Sequence, residues 1–270
     1  MSRLQCSMLN AQCPTRRAAI VAVVLGVVLA LPVAAEQAPA GTPPGRAGGP
    51  PLARAAAPVD LTGTYVSVVT EDWRWRMRVP PKGDYASVPL TPAGVKQADS
   101  WDPARDAAAG EQCRGYGAPA VMRLPGRIRV SWENDTTLKV ETEAGTQTRL
   151  FVFGEQTPGA PGWQGASAAF WQPAGGGGGR RGGGAPARGG SLRVVTTNLR
   201  PGYLRRNGVP YSAGARVTEY YTRANQPTGD VWLVVTTVVE DPVNLNARWV
   251  TSSHFKKLPD GSPWTPTPCE

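Results

Sequence analysis

His254 is the only histidine in the 270-residue chain, and this restricts the chemistry that the sequence allows. Zinc sites with several histidines and iron sites with two cannot form within one chain. A Ser-His-Asp triad would have to use His254, but the sequence contains no Gly-x-Ser-x-Gly turn to present the serine. We therefore predict neither a metal site nor a cofactor.

Besides His254, carboxylates are the other possible acid–base groups. Glu219 lies between apolar neighbours at two-residue spacing, and Asp241 closes an apolar strand. A carboxylate enclosed by such side chains has a raised pKa and can act as a general acid or base. The alternative places Glu219 on a solvated strand face, Asp241 in a turn and His254 in a structural role. The candidate catalytic residues are Glu219, Asp241 and His254, with an arginine from Arg74, Arg76 and Arg78.

Aromatic side chains give the stronger indication of a ligand. The chain has nine tryptophans and seven tyrosines, more than a core of this size requires for volume. Core packing is still the ordinary role of any single one. The aromatic residues that we predict to contact a ligand are Trp73, Trp75, Trp163, Tyr203 and Tyr211.

Two of the four cysteines, Cys113 and Cys269, lie outside the N-terminal leader. In an oxidising compartment, two cysteines most simply form one disulfide. The segment before Cys269 is rich in proline and cannot pair as a central strand, so we expect the bond to anchor it. Two unpaired buried thiols are the alternative.

The N-terminal region predicts export. Residues 1–35 combine basic residues, an uncharged apolar run and a small-residue cleavage site, the pattern of a signal peptide. Residues 36–58, rich in Ala, Gly and Pro, are interpreted as a disordered tether, and residues 59–270 as one domain with a disordered Gly/Arg-rich loop at 173–190. We expect a periplasmic or secreted protein with no stable membrane span after removal of the signal.

The net charge of +9 belongs mostly to these extensions. Without the three basic residues of the leader, and the five basic residues and one acidic residue of the Gly/Pro-rich stretches, 21 basic residues face 19 acidic ones. A folded domain with a net charge near +2 lacks the basic surface that binds nucleic acid. We therefore do not expect nucleic acid as a partner.

Strand patterns dominate the remaining sequence. Short segments rich in β-branched and aromatic residues alternate with turn-forming residues, which is typical of a barrel or a sandwich. Helices are predicted only at 91–100 and 103–109. The predicted strands are 63–70, 73–79, 127–132, 137–142, 146–153, 163–172, 191–199, 215–223, 231–240 and 248–257. We therefore predict an all-β fold, a single antiparallel barrel of about 8–10 strands with one short helical segment, and a β-sandwich as the alternative.

Several segments carry a resemblance to a known group of proteins. They are the residues at 60–65 (DLTGTY), 113–117 (CRGYG), 196–211, 217–220 (VTEY) and 240–242 (EDP). Together they resemble an uncharacterised family of exported bacterial proteins, over most of the chain from Asp60 to Cys269. The opening is also similar to the Gly-x-Trp start of lipocalin-like barrels, with Tyr65 in place of the tryptophan. The resemblance implies a lipocalin-like barrel and no particular activity.

Three functional hypotheses follow. The first is an exported binding module that holds a small apolar or aromatic molecule in a barrel cavity. The second is a cofactor-free lyase, isomerase or hydrolase that uses carboxylates and His254. The third is a structural protein of the cell envelope.

Overall fold

The computed structural model describes residues 53–174 and 189–270, in which strands predominate. The predicted signal peptide, most of the tether and most of the Gly/Arg-rich loop lie outside these residues. In chain order the elements are β1 Gly63–Val68, α1 Trp73–Arg76, α2 Pro92–Asp99, α3 Pro103–Ala108, a 3-10 turn Gln112–Tyr116, α4 Ala118–Val121, β2 Arg127–Asn134, β3 Thr137–Thr142, a 3-10 turn Ala144–Thr146, β4 Gln147–Val152, β5 Ala166–Pro173, β6 Gly190–Thr197, β7 Gly202–Arg205, β8 Val209–Tyr211, β9 Arg216–Asn225, β10 Val231–Glu240 and β11 Trp249–Lys257.

Nine strands form a closed barrel in the order β1-β11-β10-β9-β6-β5-β4-β3-β2. The first strand closes it, because Tyr65 pairs with Lys257 of β11 on one side and with Ile128 of β2 on the other. All neighbours are antiparallel except β4 and β5, which form a short parallel pair. The predicted all-β barrel is therefore confirmed, and its strand number lies within the predicted range.

Alternation along the strands fills the barrel. Every second residue of β10 is buried and its neighbours are less so, as expected of a strand with one face on a core. The inward side chains of the other strands pack against this set. The buried members of this core include Tyr65, Ile128, Val130, Val140, Phe151, Leu192, Val194, Tyr221, Leu233, Val235 and Phe255.

A second apolar cluster lies at the end of the barrel where β9 begins and β10 ends. It joins Val217 and Val239 of these strands to Leu204 and Val209 of the β7–β8 hairpin. The long connection between β1 and β2, which contains the four helices, contributes Val88 and Ala118 to the same cluster. The hairpin and this connection therefore cover one end of the barrel.

The two predicted helical segments are confirmed as α2 and α3. Thr91 caps α2 by accepting a hydrogen bond from Gly94 N at 3.0 Å. Asp102 caps α3 by accepting from Ala104 N at 3.0 Å. Each helix also begins with a proline, whose missing N–H costs nothing in the first turn.

The predicted strand at 73–79 is wrong. The structure has helix α1 at Trp73–Arg76, which begins after Asp72 in the left-handed region at φ 52°. Alternating Trp and Arg would face opposite sides of a strand, but successive residues of a helix are turned by about 100°. Arg76 is therefore buried, whereas Trp73 is exposed. The β7–β8 hairpin lies in a segment for which no strand was predicted.

The predicted disulfide between Cys113 and Cys269 is confirmed, with Cα atoms 5.1 Å apart. It ties the C-terminal segment to the 3-10 turn after α3. Hydrogen bonds extend this attachment, because Thr265 N donates to Glu143 Oε1 at 2.7 Å and Thr267 N to Glu143 O at 2.9 Å. Among the described residues, no helix has both the length and the apolar composition to cross a membrane.

Candidate functional site: an arginine pocket at one end of the barrel

A small pocket lies between α1, α4 and β7. Its lining includes Trp75, Arg76, Ala120, Arg123, Leu204 and Arg205, and we call it the arginine pocket. The three arginines come from three separate segments of the chain, and each is at least 95 % buried. Arginine is rarely buried to this extent without a partner, so the hydrogen bonds of each side chain decide what the pocket can do.

Arg205 has no hydrogen-bond partner among the described residues. It ends β7, and the hairpin turn is closed by a hydrogen bond from Gly208 N to Arg205 O at 3.2 Å. The guanidinium carbon lies 5.0 Å from the centre of the Trp75 ring and 5.9 Å from that of Trp249. Within residues 53–174 and 189–270, Nε, Nη1 and Nη2 of Arg205 make no hydrogen bond. The guanidinium group is thus held beside two aromatic rings, but its donors are unsatisfied.

Arg76 and Arg123 are each paired, but only in part. Arg76 Nη1 bonds a carboxylate oxygen of Glu71, and Nε donates to Arg123 O at 2.8 Å. Arg123 Nη2 donates to Asp72 Oδ2 at 3.0 Å. In the part of the chain that the structure describes, Nη2 of Arg76 and Nη1 of Arg123 lack partners. Each guanidinium therefore keeps a donor that could serve a ligand.

Burial and mutual repulsion destabilise these charges. Burial, and next the charge of Arg123, lower the pKa of Arg205 to about 10. Burial also lowers the pKa of Arg76 and of Arg123, although Glu71 and Asp72 partly oppose the shift. All three remain protonated at neutral pH. The pocket therefore carries positive charge that the neighbouring carboxylates compensate only in part.

The pocket is small and borders a larger depression. The inner cavity measures about 20 Å³. The depression, of about 200 Å³, shares Arg76, Leu124 and Arg206 with it and is also lined by Met77 and Tyr116. A buried water needs about 10–15 Å³, so the inner cavity admits a group of only a few atoms.

The barrel interior contains a different polar group that is already satisfied. Arg149 of β4 and Glu219 of β9 are both fully buried and form two hydrogen bonds, at 2.9 and 2.6 Å. Tyr221 Oη donates to Glu219 Oε1 at 3.2 Å. Since Arg149 uses the whole carboxylate of Glu219, this pair serves the packing of the interior.

The predicted catalytic residues are not assembled in one place. Glu219 faces the interior, whereas His254 lies on the outer side of β11, between inward-pointing neighbours. Asp241 accepts four hydrogen bonds from the Ser212 backbone and hydroxyl, Val243 and Asn244. Only His254 and Arg76 are connected, because both contact the carboxylate of Glu71.

The predicted ligand-binding aromatics are also dispersed. Trp75 lines the arginine pocket, whereas Trp73 is 63 % exposed. Trp163 Nε1 donates to Pro201 O at 3.3 Å, outside the pocket. Tyr203 donates to Asp106 at 2.6 Å, and Tyr211 is fully buried under the hairpin. Burial raises the pKa of both tyrosines, so neither hydroxyl ionises at neutral pH.

Sequence reasoning missed Arg123 and Arg205. The only signal in the sequence is the pair Arg205-Arg206 in a segment with few acidic residues, and such a pair is more typical of a solvated loop. Among the described residues, no group of three or more His, Cys, Asp or Glu side chains is placed to hold a metal ion.

Comparisons with models of known protein families and with curated proteins gave no match, so the resemblance to a family of exported bacterial proteins remains a prediction.

Proposed function

We propose that the protein is a binding module for a small organic anion and that the arginine pocket is its site. The observation that carries the proposal is Arg205, which is 4 % exposed and has three nitrogen atoms without partners in the described part of the chain. A buried, unpaired charge costs several kcal/mol. Such a cost is typical of functional sites, where a ligand supplies the missing partner.

The surroundings of Arg205 support an anion rather than a neutral ligand. The two tryptophan rings contact the guanidinium group and leave its N–H donors free for an oxyanion. Arg76 and Arg123 each add one unused donor. Charge-assisted hydrogen bonds of this kind are about twice as strong as neutral ones. The site thus replaces the barrel cavity that we expected to hold the ligand.

The same observations give less support to the two other hypotheses. An acid–base enzyme would need a carboxylate and His254 beside the ligand, but Glu219 is bonded to Arg149 in the interior. A purely structural protein gains nothing from an unpaired buried arginine. The disulfide supports a location in the periplasm or outside the cell.

The test is to compare Arg205→Met with wild type. We expect organic anions to raise the melting temperature of wild type and to change its tryptophan fluorescence, because ligand at 100 times its Kd adds about 2.7 kcal/mol. The variant should lose this response yet be at least as stable as ligand-free wild type, because an unpaired charge is removed. Arg248→Met, at an arginine with a 73 % exposed side chain, is the control and should respond like wild type. Destabilisation of Arg205→Met by about 2 kcal/mol or more, with no anion acting on wild type, would overturn the proposal.

A further inference from the structure

We infer that the anionic group of the ligand is a single carboxylate attached to an apolar or aromatic body. This inference rests on the proposed function and specifies the class of ligand for the same site. Three observations carry it: the charge balance of the pocket, the size of the inner cavity and the lining of the outer depression.

The buried charges leave one positive charge to be balanced. Within residues 53–174 and 189–270, the guanidinium groups of Arg76, Arg123 and Arg205 have two carboxylate partners, Glu71 and Asp72. The other charged groups nearby do not change this balance. Asp84, whose charge favours the protonated form of Arg205, is also paired with the exposed Arg74. His254 contacts Glu71, and Arg78 is exposed. Arg206 and Glu270, of opposite charge, both line the outer depression. A monoanion neutralises the remaining charge, whereas a phosphate monoester carries up to two negative charges.

The size of the inner cavity points the same way. Its volume of about 20 Å³ corresponds to between one and two waters, so it can hold two oxygen atoms but not three. The two oxygens of a carboxylate lie in one plane and match the fork of an arginine side chain. A tetrahedral phosphate would have to fit three oxygens into the same space.

The outer depression favours an apolar or aromatic body over a bare inorganic anion. Met77, Leu124 and Pro125 form an apolar part of its lining beside the ring of Tyr116, and its volume is about ten times that of the inner cavity. The rest of the lining is mostly polar, from Arg76, Arg206, Thr267 and Glu270. Met77 is 55 % exposed, so apolar surface is available to a ligand there. A molecule bound through its carboxylate to Arg205 would place its remaining atoms against this surface.

Entry of the carboxylate requires the Trp75 side chain to shift. The nitrogen atoms of Arg205 are closed off from solvent, and the half-buried Trp75 ring contacts one face of the guanidinium group. Its indole N–H is held by both carboxylate oxygens of Asp84 at 3.2 Å. Binding should therefore change the fluorescence of Trp75, a signal that Trp75→Phe removes.

The experiment measures binding of matched ligands to the full chain by calorimetry and tryptophan fluorescence. The probes are 4-phenylbutyrate, its neutral amide, phenyl phosphate, acetate and chloride. We expect 4-phenylbutyrate to bind best and the amide to bind at least about 30-fold more weakly, because it lacks the charge that Arg205 requires. Met77→Glu should weaken 4-phenylbutyrate but leave acetate unchanged, and Arg205→Met should weaken both.

The other outcomes separate the two proposals. If phenyl phosphate binds as tightly as 4-phenylbutyrate and Arg205→Met abolishes both, the monocarboxylate inference fails while the proposed function stands. If acetate or chloride binds as tightly as 4-phenylbutyrate, or if Met77→Glu has no effect, the apolar body is refuted. If no anion binds and Arg205→Met behaves like wild type, both proposals fail.

Discussion

Arg149 and Glu219 form a two-pronged ion pair across the inside of the barrel, 70 residues apart in the chain. Arg149 Nη2 also donates to Thr196 Oγ1 at 3.2 Å, and this hydroxyl contacts Ser167 Oγ at 2.8 Å. Burial alone would lower the pKa of Arg149, but the charge of Glu219 outweighs it and the pKa is raised. The pair therefore links four strands, β4, β5, β6 and β9, through one buried network.

Glu219→Gln should destabilise the protein strongly. It leaves the guanidinium of Arg149 buried without its counter-charge, and breaking one partner of such a pair costs about 3–5 kcal/mol. Urea unfolding at neutral pH measures the change. Replacing both partners, Arg149→Met with Glu219→Leu, should cost less than Glu219→Gln alone, because no charge stays buried.

Arg248→Met is the matched control for this prediction. It removes an ion pair with Glu240 whose side chains are 73 % and 39 % exposed. Exposed pairs contribute about 0–1 kcal/mol. If Glu219→Gln changed the free energy of unfolding no more than Arg248→Met does, the buried pair would not stabilise the interior.

Asp241→Asn should reduce stability at neutral pH and flatten its dependence on pH. Burial raises the pKa of Asp241, but the hydrogen bonds from Ser212, Asn244 and Val243 outweigh this and lower it. With a folded-state pKa below the unfolded value of about 3.9, the stabilisation is complete above that value and is lost as the pH falls through the folded-state pKa. We expect a loss of about 2 kcal/mol at pH 7.

Urea unfolding from pH 7 down to pH 3 tests the direction of this pH dependence. The wild-type free energy of unfolding should fall more steeply below pH 4 than that of Asp241→Asn. Asp260→Asn, at an exposed aspartate, should follow the wild-type curve. Parallel curves for wild type and Asp241→Asn would contradict the lowered pKa.

Reduction of the Cys113–Cys269 bond should release the C-terminal segment and lower stability by about 2–5 kcal/mol. Hydrogen exchange should show faster exchange at the amides of Thr265 and Thr267, which bond to Glu143. The double variant Cys113→Ser/Cys269→Ser should behave like the reduced wild type. Amides that remain equally protected after reduction would show that hydrogen bonds alone hold the segment.

Gly208→Ala should be more harmful than Gly229→Ala, although both glycines have positive φ angles, 84° and 88°. A Cβ at Gly208 would overlap the side chain of Trp101, whereas nothing lies within 4 Å of the corresponding position at Gly229. We expect the first variant to lose about 1–3 kcal/mol more in urea unfolding, through overpacking. Because Gly208 closes the turn that follows Arg205, anion binding should weaken with it. Equal losses would mean that the hairpin adjusts to the added methyl group.

Local sequence patterns sufficed to predict the barrel and the disulfide. Alternating apolar residues, as at every second position of β10, report directly which face of a strand is buried, because the period of a strand is two. The pairing of Cys113 with Cys269 followed from their number in a chain predicted to be exported. Capping residues such as Thr91 and Asp102 likewise mark helix starts locally.

Only the tertiary structure decided where the charged groups meet. The Trp-Arg alternation at 73–78 has the period of a strand, but the contacts of Arg76 with Glu71 and with the carbonyl of Arg123 favour a helical turn. Local propensity yields to such long-range contacts because leaving a buried charge unpaired costs several kcal/mol. By itself the sequence determined a β-rich domain with a disulfide, and it predicts export. The folding of three distant segments around Arg205 determined which arginine has no partner among the described residues, and hence where we place the site.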